Sequence, residues 1–115
     1  MSLYAPDIVY FDLVPPLQYA GSDALRDRFA DWFPRWNSAI GQQLEHIAIM
    51  VGEDIATAHM LIRTSGALKD GQEVGYWVRT TNGFRRSGKG WLITHEHVSL
   101  PVDMQTRSAV MNLEP

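Results

Sequence analysis

The stretch Glu73–Leu100, EVGYWVRTTNGFRRSGKGWLITHEHVSL, holds two long strand-like runs, Glu73–Arg86 and Trp91–Leu100, about a Ser87-Gly88-Lys89-Gly90 turn. With Gly88-Lys89 at the tip, Arg86 pairs with Trp91, Thr81 with Glu96 and Arg79 with Val98. Side chains alternate along a strand, so one face is expected to carry Trp77, Arg79 and Thr81 with Leu92, Thr94, Glu96 and Val98. The other carries Val78, Thr80, Asn82 and Phe84 with Trp91, Ile93, His95, His97 and Ser99. Both faces mix apolar and polar groups. One should line a cavity and the other should meet a partner subunit, and a slip of one residue would exchange them.

Working outward, Gln43–Val51 and Asp54–Ser65 are two further strand-like runs, set off by turns at Gly52-Glu53-Asp54 and Lys69-Asp70-Gly71. Ile8–Asp12 is short, β-branched and aromatic, and reads as a first strand. It is ended by Val14-Pro15-Pro16-Leu17, where neither proline can donate to a ladder. Between them lies one helix, with Ser22 as its expected cap and Asp23 at its positive end. Leu25, Phe29, Trp32, Phe33 and Trp36 form its apolar stripe, Arg26, Asp27, Arg28, Asp31 and Arg35 its polar face, and Pro34 ends or kinks it. The order predicts an α+β domain over residues 1–115: a strongly curved, cone-shaped antiparallel sheet packed against a helix.

The chain has 115 residues, no cysteine and a net charge of −3, with 45% hydrophobic residues. That length suits one domain with a real core. The absence of cysteine removes disulfides, thiolate nucleophiles and Cys-containing metal sites, and fits a cytoplasmic location. The acidic balance argues against nucleic-acid partners, and no apolar run reaches the ~18 residues of a membrane span.

Three segments carry a resemblance to a family: Val9–Leu17 (VYFDLVPPL), the helix start Gly21-Ser22-Asp23-Ala24, and Gly90–Ser99 (GWLITHEHVS). With the element order, they resemble the nuclear-transport-factor-2-like superfamily, and within it SnoaL-like and ketosteroid-isomerase-like domains. The last segment also looks like the final strand of kinase association domains. The resemblance implies a cystatin-like cone with a deep pocket, dimerising through its outer sheet face, and inward-pointing positions at Thr94, Glu96 and Val98. Two departures stand out. The family's opening helices have no counterpart before Ile8, so a partner, a lid from elsewhere or a longer N-terminus is expected. The Asp base and Tyr/Asp oxyanion pair of ketosteroid isomerases find no matching positions.

Glu96 is the leading acid–base candidate, because a carboxylate inside an apolar cone is raised in pKa by desolvation and can exchange protons beside a carbonyl. Arg79 and Thr81 would anchor an anionic or carbonyl oxygen, with Trp77, Met60, Ile62 and Val98 as walls and Thr94 beside them. A purely structural Glu96–Arg79 ion pair is the competing reading. Asp12 and Tyr10 share a face and offer a second acid with a phenol donor, or simply a turn cap and a packed ring. His95-Glu96-His97 places two imidazoles on one face, but a metal needs a convergent third ligand, and His46 and His59 have no evident reason to supply it. Arg85, Arg86 and Lys89 form a solvated basic tip. The expected function is a small-molecule-binding domain, with cofactor-independent isomerase, cyclase or dehydratase chemistry on one side and a non-catalytic binding or oligomerisation module on the other. No cofactor or metal is expected.

Overall fold

The computed structural model describes residues 2–115. β1 (Tyr4–Phe11) and β2 (Tyr19–Ala20) lead into α1 (Ser22–Trp32), and a 3-10 turn covers Phe33–Arg35. Four long strands follow: β3 (Gly41–Val51), β4 (Ile55–Ala67), β5 (Glu73–Ser87) and β6 (Gly90–Ser99). The six form one sheet in the order β2-β1-β6-β5-β4-β3. The meander from β3 to β6 is antiparallel as expected, while β1 joins β6 in parallel, so the sheet is mixed. A small hairpin, β7 (Val102–Asp103) with β8 (Ser108–Ala109), was not foreseen in the sequence.

Long strands bend where residues are inserted, and ladder irregularities fall in the β1–β6, β3–β4 and β5–β6 pairings. The last of these matters most. Arg86 pairs with Trp91, Arg85 with Leu92 and Phe84 with Ile93, as the turn dictates. Gly83 then pairs with His95, which leaves Thr94 as an extra residue on β6. Beyond this bulge Asn82 opposes Glu96, Thr80 opposes Val98 and Arg79 opposes Ser99. The expected pairings of Thr81 with Glu96 and Arg79 with Val98 are therefore corrected by one residue.

α1 lies on β1 and β2. Leu25 and Ile8 are fully buried and, with Tyr10, form the core, flanked by Tyr4, Tyr19, Phe29, Ile93 and Val98. Burying Leu25 contributes about 2 kcal/mol. Gly21, not Ser22, occupies the cap position; its φ of 94° is one that glycine adopts without a steric penalty, and its N–H donates to Ile8 O at 2.7 Å. The helix stops before Pro34, so the aromatic stripe does not continue as one face. Phe33 is 54% exposed, whereas Trp36 turns away and is buried against Gly66. A Cβ on Gly66 would lie 2.9 Å from the Trp36 ring, so the glycine lets the indole lie against the strand.

Candidate functional site

The concave face of the sheet, the inner side of α1 and the 3-10 turn enclose a half-open cavity of about 1280 Å³. β5 supplies Tyr76, Val78, Thr80 and Asn82, and β6 supplies Glu96 and Val98. β1 and its exit supply Tyr4, Tyr10 and Asp12, and β4 supplies Ile62 and Thr64. Ala109 and Met111 reach it from the C-terminal hairpin and the residues after it.

Glu96 stands at the centre of a hydrogen-bonded group. Asn82 Nδ2 donates to its Oε1 at 2.8 Å, and the Tyr4 hydroxyl donates to the same oxygen at 3.4 Å. The Tyr10 hydroxyl also favours the Glu96 carboxylate. Burial outweighs these donors and pushes the carboxyl above its ordinary range, with the charge of Asp12 adding to the upward shift. Both phenols are pushed up as well, chiefly by burial and then by the charge of Glu96, so each stays protonated as a donor.

The second constellation is Asp12 with Arg28. Arg28 Nε donates to Asp12 Oδ2 at 2.8 Å, and the side chains are only 14% and 10% exposed. Asp12 Oδ1 accepts the Leu13 N–H at 2.6 Å, which serves the turn at the end of β1. Arg28 was expected on the polar face of the helix. It lies inside because it follows Leu25 by three residues and precedes Trp32 by four, on the stripe that faces the sheet. Tyr76 feels both groups; burial raises its hydroxyl, Asp12 raises it further and Arg28 opposes them.

Of the residues singled out from sequence, Glu96, Asp12, Tyr10, Ile62 and Val98 line this cavity. Arg79, Trp77 and Thr81 do not. The Thr94 bulge turns them to the opposite, outer face, where Arg79 Nε donates to Ser99 Oγ at 3.1 Å. Trp77 instead borders a shallow hollow with Gln43, Glu45 and Arg63. Thr94 lies beside Gly83 at the bulge, outside the cavity lining. Met60 opposes Thr80 on the inward row but stops short of the cavity lining.

His95 and His97 are also outward. Phe11 packs edge-on against both rings, at 4.8 and 5.3 Å, and His95 Nδ1 lies 2.8 Å from Val9 O. Among the described residues no group of three or more His, Asp or Glu side chains converges in a way that could hold a metal ion. Among the same residues no helix is long and apolar enough to cross a membrane. Sequence reasoning missed Asn82, Tyr4, Arg28 and Tyr76. For Asn82 the available signal was Gly83, an isolated glycine in a strand, which marks a bulge and hence a change of facing.

A family model described as SnoaL-like domain matches residues 1–103. A nuclear-transport-factor-2-like protein of unknown function from Pseudomonas putida has 32% identity and a TM-score of 0.89, over 99% of this chain and 79% of that one. A nuclear-transport-factor-2-like superfamily protein from Salmonella enterica has 21% identity and a TM-score of 0.74, over 89% and 75%. A ketosteroid isomerase-like protein from Erwinia carotovora has 17% identity and a TM-score of 0.69, over 85% and 75%. At these two lower identities the likeness is one of fold. A search of curated proteins found no match.

Proposed function

Because the chain belongs to the SnoaL-like domain family, whose matched segment covers residues 1–103, we propose that it is a single domain that takes a small organic molecule into the cavity. On this reading it performs cofactor-independent acid–base chemistry there, of the isomerase, cyclase or dehydratase kind. The observation that carries the proposal is Glu96: a carboxyl pushed upward by burial, held on Oε1 by Asn82 and Tyr4, on the wall of the cavity. We assign the ligand's proton to its other oxygen, Oε2. A carboxylate whose basicity is raised by burial can remove a proton beside a carbonyl and return it elsewhere on the same molecule. Tyr4 and Tyr10 would hold the carboxylate in place, and the second Nδ2 hydrogen of Asn82 is the donor left for a developing oxyanion.

Ligand screening by crystallography identifies the bound molecule. With that molecule, Glu96→Gln is expected to abolish turnover while leaving affinity within a few-fold. Undiminished turnover by the variant overturns the acid–base role.

The outer face supports a second reading, assembly into a homodimer. It presents His59, Thr81 and His97 in one cross-strand row that ends on Phe11, with the first three exposed to solvent. Thr81 is short and central in that row, so Thr81→Arg is expected to convert a dimer to a monomer in sedimentation equilibrium. A wild-type chain that is monomeric at every concentration sinks this reading. The cysteine-free composition fits a cytoplasmic setting for either.

A further inference from the structure

The cavity wall holds three guanidinium groups, Arg26, Arg28 and Arg35. Arg26 and Arg35 are about two-thirds exposed, mark the rim and pair with Asp23 and Asp31, whereas Arg28 is 14% exposed and lies within.

Arg28 is under-used by the protein itself. Among the described residues its only hydrogen bond runs from Nε to Asp12, which leaves the four Nη hydrogens of a guanidinium on the cavity wall without a protein acceptor. Those donors are left to water or to a ligand, and a planar fork matches a carboxylate in bidentate fashion. Next to Arg28 the wall is apolar and aromatic. Phe29 and Phe33 stack at 5.8 Å, Trp32 and Phe33 lie 5.4 Å apart, and Phe33, half exposed, is part of the cavity lining.

We propose that the cavity binds an organic carboxylate with an aromatic-sized apolar body, its carboxylate on the Nη edge of Arg28 and its ring against Phe29 and Phe33. This rests on the small-molecule reading above and narrows it to one ligand class. Asp12 then acts as a counter-charge that keeps Arg28 oriented while weakening its hold on the anion.

The test uses two probes of one shape, 2-naphthoate and 2-naphthamide, titrated calorimetrically into the whole chain at low salt. Naphthoate is expected to bind at least tenfold more tightly. Arg28→Gln should bring naphthoate to the level of naphthamide without changing naphthamide, which also reports that the variant is folded. Arg28→Lys should fall between, and Asp12→Asn should tighten naphthoate alone. Equal affinity of the wild type for both probes overturns the carboxylate assignment but leaves the small-molecule reading standing. So does naphthoate binding that Arg28→Gln leaves intact. If neither probe binds, the aromatic carboxylate assignment fails, and the small-molecule reading stands or falls on the crystallographic ligand screen.

Discussion

Asn82 and Glu96 oppose each other across the β5–β6 ladder, and the Asn82 amide donates to Glu96 Oε1 at 2.8 Å. Two effects of opposite sign meet on that carboxyl. Burial is the larger and pushes its pKa up; the Asn82 bond is the strongest of those pulling it down. Asn82→Leu removes the stronger restraint and keeps the burial. Glu96 in that variant is expected to ionise at higher pH than in the wild type, read from the pH dependence of its side-chain carbon resonance. A midpoint that stays put or moves down would show that the Asn82 bond does not favour the charged form.

The same carboxyl makes stability depend on pH. Its folded pKa lies above the unfolded value of 4.5, so the folded state holds the proton more tightly. The contribution is fully present below pH 4.5 and is lost as pH rises through the folded pKa. Glu96→Gln is neutral throughout and escapes that loss. Denaturant titrations should therefore find the variant more stable than the wild type at pH 8, and the gap should close towards pH 4. A gap that widens on acidification contradicts the sign.

How the sequence encodes this site differs from residue to residue. Alternation along β6 groups Glu96 with Val98 but leaves open which face is inward, and only the resemblance pointed that face to the cavity. The partners of Glu96 could not be placed. Counting from the Gly88 tip is sound as far as Phe84 and Ile93, and fails one step later because Thr94 is inserted. One residue of slip exchanges Arg79 and Thr81 for Thr80 and Asn82, since the side-chain period of a strand is two. Arg28 was hidden for another reason. Residue type assigned it to solvent, while its spacing from Leu25 and Trp32 assigned it to the core face, and the buried Asp12 carboxylate lets spacing prevail.

That pair gives a third expectation. Removing Asp12 leaves a guanidinium nearly buried without its counter-charge, whereas removing both partners leaves nothing to compensate. Water entering from the cavity softens the penalty, so Asp12→Leu is expected to lower stability by about 2 kcal/mol. The double variant Asp12→Leu with Arg28→Met should recover most of that loss. If the two single substitutions and the double one are additive in urea unfolding, the ion pair does not couple β1 to α1.

Thr80 offers a different kind of test, because its Oγ1 is buried and has no hydrogen-bond partner among the described residues. The residue is 4% exposed and sits opposite Val98, one inward position from Asn82. A buried hydroxyl without a partner loses its water and receives nothing in return, whereas valine fills the same volume without that cost. Thr80→Val should therefore leave stability unchanged or raise it by up to about 1 kcal/mol. It should also leave naphthoate affinity alone, since Arg28 and not Thr80 is assigned to the carboxylate. A loss of more than about 1 kcal/mol would reveal an acceptor or ordered water held by that hydroxyl. A loss of naphthoate affinity at unchanged stability would move the polar end of the ligand from Arg28 to the β5 wall beside Glu96.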